Sequence, residues 1–94
     1  MADLASVKVF VHGRVKGIGF RAFVSERAEA LELNGYARNL PNERTVEVEA
    51  EGKKAGLEKL VDFLRVGPPL ARVEGMEVEW AEYTGKYSEF TIRR

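Results

Sequence analysis

The chain contains no cysteine and a single histidine, His12, among its 94 residues. The first absence excludes disulfides, thiol nucleophiles and cysteine-ligated metals, and it fits a cytosolic setting. The second excludes a histidine pair for zinc and a two-histidine proton relay. No run of about 18 apolar residues occurs, so no transmembrane helix is expected. The first residues, MADLASVKVFV, lack the apolar stretch and cleavage pattern of a signal peptide. An excess of one charge is also missing, because 15 Lys and Arg balance 15 Asp and Glu. A protein whose task is to grip the nucleic-acid backbone usually carries a basic surplus, so no nucleic-acid partner is expected. There is no internal repeat, linker or low-complexity segment. These features predict one soluble, cytoplasmic domain over residues 1–94, with residues 1–6 as a tail, acting as a monomer without a membrane partner.

The residues that are present alternate between two periods. VKVFVHG, Val7 to Gly13, places β-branched side chains at every second position and ends in glycine, which predicts a strand. From Phe20 the period becomes helical, with Phe20, Phe23, Val24, Ala28 and Leu31 on one face and Asn34-Gly35 as the expected stop. YARN, Tyr36 to Asn39, reads as a second strand, and LPNER as a turn because Pro41 pushes Leu40 toward extended geometry. In TVEVEAE, Val46, Val48 and Ala50 are expected to face inward, with Glu47, Glu49 and Glu51 on a wet face. Leu57, Leu60, Val61 and Leu64 form a second helical stripe, stopped by Gly67, Pro68 and Pro69. MEVEW predicts a fourth strand, and EFTI a short edge strand or extension. Two amphipathic helices bury their stripes best on one shared sheet face. The predicted class is therefore α+β: a ferredoxin-like βαββαβ sandwich, with an antiparallel sheet carrying both helices on one face.

The segment HGRVKGIGFRAF, His12 to Phe23, concentrates the chemistry. A glycine-rich connection between a strand and a helix can turn several backbone N–H groups toward one point, beside further unpaired amides of the helix N-terminus. Such a cradle suits phosphate or another oxyanion; a plain tight turn is the competing reading. Arg21 follows directly, and its guanidinium can hold two phosphate oxygens at once. Asn39 closes the second strand at the same sheet edge as this loop. Its amide both donates and accepts, which suits holding a water molecule, although asparagine also serves as an ordinary turn residue. His12 reads as structural, the glutamates as a solvated face, and Phe10 and Trp80 as packing residues rather than base-stacking platforms.

VHGRVKGIGFR, Val11 to Arg21, resembles the first signature of the acylphosphatase family, and GYARNLP, Gly35 to Pro41, resembles the second. GPPLARVEGMEVEW is similar to the pattern that precedes the family's fourth strand, so the likeness runs from about Val7 onward. The resemblance implies the ferredoxin-like fold and hydrolysis of the carboxyl–phosphate bond of small acyl phosphates, with inorganic phosphate as a product and no metal or organic cofactor. It implies that Arg21 binds phosphate together with the backbone of Val15, Lys16, Gly17, Ile18, Gly19 and Phe20, and that Asn39 positions the attacking water. Three departures stand out. Lys16 occupies a position that is usually glutamine, Ile18 one that is often valine, and NLPNERTVEV lacks the usual hairpin glycine. A non-catalytic module that binds an anion, RNA or a protein remains the alternative, as does part of a larger carbamoyl-phosphate-handling protein.

Overall fold

The computed structural model describes residues 3–42 and 44–93. Seven elements follow in the order β1 (Leu4–Arg14), α1 (Phe20–Ala30), β2 (Asn34–Asn39), β3 (Thr45–Lys53), α2 (Lys54–Val66), β4 (Arg72–Ala81) and β5 (Phe90–Arg93). The sheet order is β4-β1-β3-β2-β5. β1 pairs antiparallel with both β3 and β4, and β3 pairs antiparallel with β2. β5 is the exception to the expected antiparallel sheet, because it lies parallel to β2, with Ala37 opposite Ile92. The sheet is mixed, and its fold class is the ferredoxin-like sandwich expected from the sequence.

Both helices pack on one face. Val7, Val9 and Val11 of β1 and Val46, Val48 and Ala50 of β3 are fully buried there, against Val24 and Ala28 of α1 and Leu57, Leu60 and Leu64 of α2. The expected inward residues are therefore the core residues. Trp80 is less buried than a packing role implies: it stays 44% exposed, with the Lys54 ammonium 5.8 Å from its ring.

Several boundaries move for identifiable reasons. Residues 4–6 are strand rather than tail, because Leu4 pairs with Lys53 and Ser6 with Ala81. Just before them, the Asp3 carbonyl accepts from the Lys54 amide at 2.8 Å and so caps the start of α2. Helix α1 stops before Asn34-Gly35. Glu32 adopts a left-handed φ of 58°, its amide donates to Glu29, and the Leu33 amide reaches back to Ala28 at 2.8 Å. That pair of bonds is a Schellman closure, with glutamate where glycine is usual. Asn34 and Gly35 are instead the first residues of β2.

The largest difference is on the other sheet face. Glu47, Glu49 and Glu51 do alternate away from the helices, but they are 5%, 8% and 2% exposed rather than solvated. Arg38 of β2 hydrogen-bonds Glu47. Lys8 of β1 lies 3.9 Å from Glu47 and 3.5 Å from Glu49. The segment between β4 and β5 covers the remainder, with Thr84, Gly85 and Tyr87 donating to Glu51 and Glu49. Buried carboxylates require such partners, since an unpaired charge removed from water is costly.

Candidate active site

Strands β1 and β2 flank β3 and run parallel to each other, so their C-terminal ends, Arg14 and Asn39, meet at one edge of the sheet. The connection from β1 to α1 lies at that edge. Gly17 and Gly19 in it take φ values of 73° and 79°, and a side-chain carbon built on either would meet nothing within 4 Å. Both positions demand glycine for the backbone and leave open space beside it. Gly13 is a different case, because a Cβ there would fall 2.2 Å from the Arg72 carbonyl oxygen. It permits close approach of β4 at an irregularity in the β1–β4 register and is not part of the cradle.

A cavity of about 190 Å³ opens at this edge. Val15, Gly17, Gly19, Phe20 and Arg21 line it from the loop and the first turn of α1, and Asn39 lines it from β2. The N-terminus of α1 has no side-chain cap and no acidic residue in its first turn. Its first amides therefore lack the partners that caps supply and leave the positive end of the helix dipole at the cavity. Arg21 Nη1 donates to the Arg93 carbonyl at 3.0 Å. Asn39 Oδ1 is buried and accepts no hydrogen bond among the described residues. A buried amide oxygen without a partner costs free energy unless a ligand or water supplies the donor.

The likeness to known proteins is as direct as the geometry. The family model described as Acylphosphatase matches residues 7–92. The chain belongs to the acylphosphatase family. An acylphosphatase from Anaeromyxobacter dehalogenans is 43% identical over 93 residues, covering 99% of each chain. One from Thermus thermophilus is 55% identical over 75 residues, covering 80% of this chain and 84% of the relative. The solved acylphosphatase structure from Coxiella burnetii superposes with a TM-score of 0.90 at 34% identity, covering 97% of this chain and 94% of that one.

Against the family pattern, the departures acquire structural explanations. Lys16 does not line the cavity; its ammonium donates to the Leu40 carbonyl and staples the loop to the turn that follows Asn39. Ile18 is also outside the lining, and its side chain packs against the core. The turn without glycine is held by its own side chain. Asn42 Nδ2 donates to Thr45 Oγ1 at 2.9 Å, and Asn42 Oδ1 accepts from the Arg44 amide at 3.1 Å. Glu43 of that turn lies outside the described residues. His12 sits on the outer face, with Nδ1 2.9 Å from Thr45 Oγ1 and Nε2 3.4 Å from Glu77, and is absent from the cavity lining.

Sequence reasoning missed the cavity's remaining wall. Ile92 of β5 lines it, and the neighbouring Arg93 supplies the carbonyl that holds Arg21. EFTI carries no chemical signal of its own. Only its placement beside β2 brings it to the site.

Proposed function

We propose that this chain is an acylphosphatase that hydrolyses acyl phosphates to a carboxylate and inorganic phosphate, with residues 1–94 acting as one catalytic domain. The observation that carries this reading is the single cavity uniting Gly17, Gly19, Arg21 and Asn39. The phosphoryl group sits in the loop between Val15 and Phe20, on backbone N–H groups and the uncapped end of α1. The Arg21 guanidinium neutralises its equatorial oxygens. Asn39 Oδ1, buried without a protein donor among the described residues, accepts from the attacking water.

The chemistry needs little else. The water oxygen bonds to phosphorus as the bond from phosphorus to the acyl oxygen breaks. The acyl group leaves as a carboxylate, which near neutral pH needs no proton. A water proton passes to a phosphoryl oxygen of the substrate, giving inorganic phosphate. Positioning and charge stabilisation are the dominant contributions in such transfers, and the cavity is furnished for both. Lys16 ties the loop to the turn that follows Asn39, which supports a cradle held in place despite the departure from glutamine.

The test is hydrolysis of benzoyl phosphate in EDTA by wild type, Arg21→Ala and Asn39→Ala. The expected result is rapid wild-type turnover and a loss of at least about 10²-fold in Arg21→Ala, the scale for removing one donor from a charged transition state. Asn39→Ala should lose turnover while keeping its affinity for inorganic phosphate. A folded wild type that binds phosphate without hydrolysing benzoyl phosphate would reassign the domain to anion binding.

A further inference from the structure

Two of the buried carboxylates on the outer sheet face grip the connection between β4 and β5. Glu51 accepts from the Thr84 amide at 3.1 Å, the Thr84 hydroxyl at 2.7 Å and the Gly85 amide at 2.9 Å. Glu49 accepts from the Tyr87 hydroxyl at 2.6 Å, with the Lys86 ammonium 3.4 Å away. Asn34 Nδ2 donates to the Tyr87 carbonyl at 3.3 Å, and the Gly35 amide to the Glu89 carbonyl at 3.0 Å. The connection is thus a strap fastened across the sheet, on the side opposite the helices.

The strap leads to the cavity by contact. The Tyr87 ring meets the Tyr36 ring edge-on, with centroids 6.0 Å apart. The Arg93 guanidinium lies 4.0 Å over the same Tyr36 ring. The Arg93 carbonyl accepts from Arg21 Nη1 at 3.0 Å. β5 has only four residues and, among the described residues, pairs only with β2. So short a strand with one neighbour is weakly fixed by its ladder alone, although Phe90 anchors its start in the core.

We propose that Tyr87, anchored on Glu49, positions Arg21 through the Tyr36–Arg93 stack. The proposal rests on the reading of Arg21 as the arginine that holds phosphate. Tyr87 is a positioning residue here, since it touches neither the cavity nor the substrate. Its hydroxyl remains a reliable donor, because burial and the bond to Glu49 push its pKa well above the ordinary tyrosine value. A guanidinium must be held in one orientation to grip two phosphate oxygens. Its partner carbonyl moves with β5, and β5 is steadied from the far face of the sheet.

The experiment measures the dissociation constant for inorganic phosphate, together with Tm, in wild type, Tyr87→Phe and Tyr87→Ala, and repeats both substitutions in an Arg21→Ala background. Tyr87→Phe keeps the ring contact and loses only the bond to Glu49. It should weaken phosphate binding by roughly 3- to 10-fold, within the range for coupling through packed networks; Tyr87→Ala should weaken it further. In the Arg21→Ala background, Tyr87→Phe should change phosphate affinity by less than about 2-fold, because its route to the ligand is gone. A purely structural tyrosine lowers Tm and leaves phosphate affinity alone, and that result overturns the proposal. Equal losses with and without Arg21 overturn it as well. A folded wild type that binds no phosphate overturns the cradle reading and the proposal together, whereas wild-type binding with an unaffected Tyr87→Phe overturns the proposal alone. Should Tyr87→Ala fail to fold, the isosteric phenylalanine variant decides the matter.

Discussion

The two faces of the sheet are built by different physics. On the helix face, β-branched and leucine side chains from β1, β3 and α2 interlock, and no single atom is indispensable. On the outer face, Glu47, Glu49 and Glu51 are equally buried, yet each is held by particular donors at particular distances. Apolar burial is non-directional and scales with area, whereas a buried carboxylate is favourable only while every partner stays in place. One face therefore supplies stability spread over many contacts. The other sets where the β4–β5 connection, and through it β5, comes to rest.

Substitutions on the two faces should separate these contributions. Leu60→Ala removes a fully buried side chain from the helix face. It should cost about 2–5 kcal/mol by denaturant unfolding and leave phosphate affinity unchanged in the protein that remains folded. A change in affinity comparable to that of Tyr87→Phe would erase the distinction between the faces.

Glu51→Gln is the counterpart. The new amide cannot accept from all three donors, so at least one N–H or O–H of the exposed Thr84–Gly85 segment loses its Glu51 partner, at a cost of about 0.5–1.5 kcal/mol near neutral pH. Acid should sharpen the contrast. Burial pushes the Glu51 carboxyl up, but the bonds from Thr84, Gly85 and Ser6 together outweigh it and leave its pKa below the ordinary value. For Glu49 the opposition is the same, with Tyr87, Lys86 and Lys8 outweighing burial. Depressed carboxyl values mean that this stabilisation is complete above the unfolded-chain value of about 4.3 and is lost as pH falls through the folded values. Unfolding free energy measured from pH 7 to pH 2 should thus fall less steeply in Glu51→Gln than in wild type. The Leu60→Ala curve should run parallel to wild type, displaced downward.

The smallest effect belongs to residues on neither face's interior. Val66 is 76% exposed at the end of α2. Val66→Ser should stay within about 0.5 kcal/mol of wild type at every pH, and a larger loss would reveal packing that its exposure does not suggest.

The helix face was readable in advance because its two periods, of 2 and 3.6, name the same core from both sides. The pleat of TVEVEAE was equally readable, but not the solvent on its far side. Alternation says which residues share a face and nothing about what covers that face, and the covering segment around Thr84 and Tyr87 has no period of its own. The end of α1 is less legible, because Asn34-Gly35 is a strong stop by composition, while Glu32 in a left-handed turn is a stop that only tertiary closure imposes. At the site, Arg21 and Asn39 were legible because each stands next to its own backbone device, the glycine loop and the strand end. Ile92 and Arg93 were not, since they reach the cavity only through the parallel pairing of β5 with β2. Lys16 was visible, but its direction was not. A lysine beside a phosphate loop suggests charge for the ligand, and here the ammonium goes to the Leu40 carbonyl.

The sheet order also leaves one long strand at an open border. β4 is a ten-residue border strand that, among the described residues, pairs only with β1, so one side of its backbone is open to recruit another chain. Borders of that length invite edge-to-edge aggregation. Glu74, Glu77 and Glu79 stand along this one, all exposed. Two copies aligning border to border would bring acidic side chains against acidic side chains, and like charges across paired strands repel. The strand most available for unwanted pairing thus carries exposed acidic side chains that oppose such pairing.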